Sequence, residues 1–116
     1  MGPDELLVDS LNSFAASCNE NAGLMTMIKD WNRVLHVHAT DLQRDLTLTT
    51  SNGSVISSSG APASSDLALQ ATAEVLTAIF YGELSPNEPY NDGRLRIQGP
   101  ESDIVKLDFL IAMLWD

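Results

Sequence analysis

Gly93-Arg94-Leu95-Arg96-Ile97-Gln98-Gly99-Pro100-Glu101-Ser102-Asp103-Ile104-Val105-Lys106-Leu107-Asp108-Phe109-Leu110-Ile111-Ala112-Met113-Leu114-Trp115-Asp116 reads as a strand, a turn and a helix. Polar and apolar residues alternate from Gly93 to Gly99, so Leu95 and Ile97 share one face of a strand. Pro100 suits a first helical position, where its fixed φ fits and an N–H is not needed. Glu101 and Asp103 place negative charge at the positive end of the helix dipole. The helix that follows has two apolar stripes. Ile104, Leu107, Ile111 and Leu114 make one; Val105, Phe109, Ala112 and Met113 make the other. A helix that is apolar nearly all round is buried nearly all round. One stripe packs on a sheet, and the second needs more protein, a second subunit or an apolar ligand to cover it.

The remaining chain supplies that sheet. Pro3, Asp4 and Glu5 start a helix whose apolar positions are Leu7, Leu11, Phe14, Ala15 and Cys18. A second helix is expected from Leu24, with Leu24, Met27, Ile28 and Trp31 on one face. Core packing accounts for this stripe, while flexible Met25 and Met27 would also suit a variable apolar ligand. From Arg33 the period becomes two: Leu35, Val37 and Ala39 face one way, and Val34, His36, His38 and Thr40 the other. Asp41 to Arg44 is a turn, Leu46 and Leu48 continue the inward face, and Asn52-Gly53 predicts a tight hairpin. Val55-Ile56 and Leu67 to Ala71 complete an expected antiparallel meander. Thr72 caps a helix with Val75, Leu76, Ile79 and Phe80 inward and Gly82 as its stop. Ser85 to Asp92 reads as a polar loop.

The 116 residues suit one domain, 1–116, with N-terminal helices over 1–31 and sheet plus helices over 32–116. The formal charge of −10 opposes binding to nucleic acid or to an anionic membrane surface. The longest apolar run, Phe109 to Trp115, is far below the ~20 residues of a membrane span, so no stable membrane insertion is expected. With a single cysteine, no internal disulfide forms. No secretory signal is read at the N-terminus. The expected location is cytoplasmic.

Gly82-Glu83-Leu84-Ser85-Pro86 followed by Gly93-Arg94-Leu95-Arg96-Ile97-Gln98-Gly99 resembles the sterol carrier protein (non-specific lipid transfer) family, which has a Gly-Lys-hydrophobic-x-Pro segment and then a Gly-Lys-Leu-Lys-Ile-x-Gly strand. The likeness runs from Arg33 to Trp115. It implies an α+β fold, with a five-stranded mixed, largely antiparallel sheet backed by helices and an apolar tunnel for fatty acyl chains or sterols. The chain departs from the pattern at Glu83, where the family has a lysine, and at Glu88-Pro89-Tyr90, where it often has an apolar pair. Leu35-His36-Val37-His38-Ala39-Thr40-Asp41 more weakly resembles the start of the C-terminal domain of mycothiol-dependent maleylpyruvate isomerase-type proteins. Only about thirty residues precede it, too few for their separate helical domain, so a stand-alone carrier domain is expected.

Catalytic residues are not evident. Cys18 lies on an apolar helix stripe, where a thiol is an inert small hydrophobe. No Gly-x-Ser-x-Gly elbow and no phosphate-binding glycine loop occurs. His36 and His38 share one strand face, and Asp41 or Asp45 could add a third metal ligand; with only two ligands evident, no metal is expected. No cofactor is implied, and the protein is expected not to be an enzyme. The expected function is binding or transfer of a hydrophobic small molecule, a fatty acid, acyl chain or sterol-like ligand. Leu76, Ile79, Phe80, Phe109, Ala112 and Met113 are the expected lipid-binding residues. The alternative is an interaction module or homodimer in which the second stripe of the last helix is buried without a cavity.

Overall fold

In the computed structural model, which describes residues 2–115, the chain forms two helices, four strands, two helices, a fifth strand and a last helix. Met1 and Asp116, the ends of the domain drawn from the sequence, and the side chain of Trp115 lie outside the described residues. The elements are α1 (Pro3–Asn19), α2 (Ala22–Met27), β1 (Arg33–Ala39), β2 (Arg44–Ser51), β3 (Ser54–Ser59), β4 (Leu67–Ala71), α3 (Ala73–Tyr81), α4 (Asn87–Asp92), β5 (Arg96–Gln98) and α5 (Glu101–Trp115).

The sheet order is β3-β2-β1-β4-β5. Strands β1, β2 and β3 form the expected meander, turned at Asn52-Gly53, where φ is +52° and +85°. Strand β4 corrects the rest of that expectation. It leaves β3, crosses to the far side of β1 and pairs with it in parallel, Leu35 opposite Leu67 and Val37 opposite Leu69. The short β5 then pairs antiparallel with β4, Ile97 opposite Leu69. The sheet is therefore mixed and largely antiparallel, in an α+β fold.

Period-two alternation sends Leu35, Val37, Leu46, Leu48, Val55, Leu67 and Leu69 to one face, where they meet Leu7, Leu11 and Phe14 of α1 and Leu76, Ile79 and Phe80 of α3. Phe14 and Phe80 pack edge to face, with ring centroids 5.2 Å apart. The opposite face carries the half-buried Val34, His36, His38 and Asp45. Helix α3 is capped as expected, with the Thr72 hydroxyl accepting from the Val75 N–H and Gly82 left-handed at φ +81°.

The expected loop before β5 contains α4, and β5 is only three residues long. Pro89 is no obstacle, because it sits in the first turn, where N–H groups have no partner within the helix.

The start of α5 is fastened to the start of β1. The Trp31 indole N–H donates to Asp103 Oδ1 at 2.9 Å, and Arg33 Nε donates to Oδ2 at 3.1 Å. Burial pushes the Asp103 carboxyl up, but the hydrogen bonds from Trp31 and Arg33, with the Arg33 charge, outweigh it and hold the group below its ordinary value. Its stabilisation is thus fully present above the unfolded value of about 3.9 and is lost as pH falls through the folded one. Asp103→Asn is expected to destabilise by about 1–3 kcal/mol at neutral pH, allowing for the half-exposed Arg33. Urea titrations should show that difference shrink below about pH 4; a constant difference would refute the charge assignment.

Candidate apolar cleft

A cleft of about 220 Å³ opens between the end of the sheet and the two C-terminal helices. Its floor is Leu69 of β4 and Ile97 of β5, cross-strand partners on the helix-covered face. One wall is Ile104, Leu107 and Ile111 of α5, and the other is Tyr90 of α4 with Pro86 at the start of that helix. Asn87, Asn91 and Asp108 bring polar groups to the lining, which holds no cation. The adjacent Arg94 is engaged by Asp92, Nε to Oδ2 at 2.9 Å. Val105, also lining the cleft, is 61% exposed, and Tyr90 is 43% exposed. A wider groove of about 560 Å³ lies beside α3, but Asp41, Glu74 and Glu83 line it, so it suits an apolar ligand less well.

None of the six residues expected from the sequence lines this cleft. Leu76, Ile79 and Phe80 are buried core residues. Ile79 and Phe80 also border a depression of about 90 Å³ between α1, α3 and α5, together with Ile111 and Leu114. Phe109 is 56% exposed, Ala112 is exposed and Met113 is half-buried. The reason is helical phase. The stripe with Ile104, Leu107 and Ile111 faces both the sheet and the cleft, so the stripe assigned to the cavity turns outward, with Val105 at the boundary. Tyr90 and Pro86 were missed inside a segment read as polar loop. Their signal was there: one aromatic and two prolines, Pro86 and Pro89, both of them buried.

Two other clusters carry chemistry-bearing groups. Cys18 is fully buried, and burial pushes its thiol up to about 12, which leaves it protonated and unreactive at neutral pH. On the uncovered sheet face, His36 Nε2 and His38 Nδ1 lie 2.7 and 2.8 Å from the same oxygen, Oδ1 of Asp45. The hydrogen bonds from His36 and then His38 hold the Asp45 carboxyl below the usual carboxylate range. Asp41, the other acid considered for this cluster, instead accepts the Ala73 N–H at the start of α3. Among the described residues, no helix is long and apolar enough to cross a membrane.

Solved structures with this fold include a UbiJ-SCP2 ubiquinone synthesis protein, with 18% identity, TM-score 0.70, and 86% of this chain and 87% of that one covered. The solution structure of palmitated SCP2L2 from Aedes aegypti matches with 17% identity, TM-score 0.67 and coverage of 90% and 93%. The stereoselective inverting sec-alkylsulfatase Pisa1 from Pseudomonas sp. matches with 20% identity and TM-score 0.64, over 79% of this chain. The chain spans only 14% of the length of that sulfatase. At such identities these likenesses show the fold. No curated protein matches the chain. The profile of the SCP-2 sterol transfer family matches residues 11–111, nearly the whole of the sheet and the helices that cover it, and the chain belongs to that family.

Proposed function

We propose that the protein binds and carries a hydrophobic small molecule, an acyl chain or sterol-like ligand, in the cleft between β4, β5, α4 and α5, with no chemistry done on it. The observation that carries this reading is the apolar lining from Leu69, Ile97, Ile104, Leu107 and Ile111, open to solvent at an edge where Val105 stays uncovered. Family membership and the palmitated state of the mosquito relative support it.

At about 220 Å³ the cleft is smaller than the ~300–1,000 Å³ usual for ligand sites, so a long chain must part α4 from α5 or leave its end in water. Roughly eight buried methylenes at ~0.8 kcal/mol each give about 6 kcal/mol gross. Association costs offset part of this, so the cleft at this size holds a ligand no tighter than ~40 µM, and tighter binding needs the further burial that parting α4 from α5 provides. With no cation in the lining, a carboxylate head group gains no charge attraction there, and selectivity among head groups should be weak.

Displacement of a fluorescent acyl probe tests the reading. Saturable binding is expected, and Ile104→Trp, which fills the cleft from a half-buried position, should weaken it at least about tenfold with the fold intact. Folded protein without saturable binding up to probe solubility would sink the carrier reading.

The exposed Phe109 favours a second reading, in which a second copy or another protein covers α5. Native mass spectrometry separates the two, since it reports bound lipid and subunit number together.

A further inference from the structure

The uncovered face of the sheet holds a second arrangement that the carrier reading does not use. His36 and His38 are two residues apart on β1, so both side chains leave the same face. Antiparallel pairing puts Asp45 of β2 directly opposite His38 and on the diagonal from His36, within reach of both rings. The two imidazole nitrogens and a carboxylate oxygen all lie within 4.8 Å of one another. From the sequence only two ligands were evident; the register of β1 on β2 supplies the third.

We propose that His36 Nε2, His38 Nδ1 and an oxygen of Asp45 form a three-ligand site for a divalent transition metal of the zinc type. Two imidazoles and one carboxylate are a donor set that such ions favour over calcium or magnesium, which take oxygen ligands. Three protein ligands leave a further coordination position for water. In the metal-free arrangement, each imidazole nitrogen donates a proton to the carboxylate oxygen. A cation takes the place of those protons between the same three atoms. With metal–ligand bonds of about 2.0–2.2 Å, each nitrogen needs to stand further from the Asp45 oxygen by well under 1 Å, which side-chain rotation supplies.

The backbone is already in place, because β1 and β2 lie in the interior of the sheet and each is paired on both sides. Access is open: the three side chains are 28%, 21% and 35% exposed. The formal charge of −10 further favours a cation.

Titration calorimetry with zinc chloride on tag-free, chelator-treated protein tests the site. One zinc per chain is expected with a micromolar dissociation constant. His36→Ala/His38→Ala and Asp45→Asn should each weaken it by roughly 100-fold or more, since each removes or neutralises a ligand. Circular dichroism and unfolding midpoints should show both variants folded, because the cluster lies outside the helix-covered core. Cobalt(II) substitution should give d–d absorption bands in the parent protein and lose them in the double variant. Absence of saturable zinc binding by folded parent protein would overturn the proposal. So would binding that survives in the double histidine variant, which would mark diffuse attraction to the acidic surface.

Discussion

Ile111→Ala is expected to destabilise the protein by about 2–5 kcal/mol, and Phe109→Ala by less than about 1 kcal/mol. The residues are two positions apart on α5, yet Ile111 is 2% exposed and Phe109 is 56% exposed. Truncating Ile111 removes packed volume where α5 meets the core. It also enlarges both the cleft and the smaller depression, which share this side chain. Truncating Phe109 removes surface that is already largely in water. Urea midpoints of the two variants decide the matter. Equal losses would mean that the outer face of α5 is covered in solution. The ligand assays add a second axis: Ile111→Ala should change acyl-probe affinity, since it alters the cleft wall. If Phe109→Ala instead converts an oligomer to monomers, the outer stripe is an interface between subunits.

Gly99→Ala should cost about 2–5 kcal/mol, through a different cause. Gly99 joins β5 to α5 with φ at +147°, in a region that side chains disfavour. A Cβ there would lie 2.8 Å from the Asp66 carbonyl oxygen and 2.5 Å from Leu67 Cδ2. The leucine tip can rotate away, but the carbonyl belongs to the backbone entering β4. Relief therefore requires β5 or α5 to move off the sheet, and these elements carry Ile97 and the helical wall of the cleft. A measured loss within about 0.5 kcal/mol of zero would show that the junction relaxes without moving either element. A large loss should be accompanied by faster amide exchange in β5, whose ladder is only three residues long.

These two positions also mark what the sequence can and cannot say. The strands with one buried face were legible, because alternation in Leu35, Val37 and Ala39, or in Leu67, Leu69 and Ala71, directly records burial on one side. The caps at Thr72 and Gly82 and the turn at Asn52-Gly53 were legible because local backbone chemistry decides them. The neighbour of β4 was not. A strand with one buried face looks the same in sequence whether it pairs with β3 or with β1, and only the closing of the whole core selects the parallel partner. Helix α4 escaped notice because six residues containing Pro89, Asn87 and Asp92 show no helical period.

The cleft suffered from a subtler ambiguity. Two apolar stripes on α5 were evident, but their assignment depends on the rotation of the helix about its axis, which Asp103 sets by reaching Trp31 and Arg33. The metal-type cluster shows the same limit: His36 and His38 share a face by local geometry, whereas the choice of Asp45 over Asp41 depends on strand register.

The solitary thiol gives the molecule a built-in clock. Cys18 sits on the buried side of α1 and stays protonated, so a thiol-specific reagent at neutral pH reaches it only when that helix lifts from the sheet. With no second cysteine to compete, each modified chain records one opening event. When reagent capture is slower than reclosing, the labelling rate follows the population of the open form; when capture is faster, it follows the opening rate itself. One reagent, used at two concentrations, can therefore resolve how often this fold opens from how long it stays open, in the unmodified protein and under native conditions.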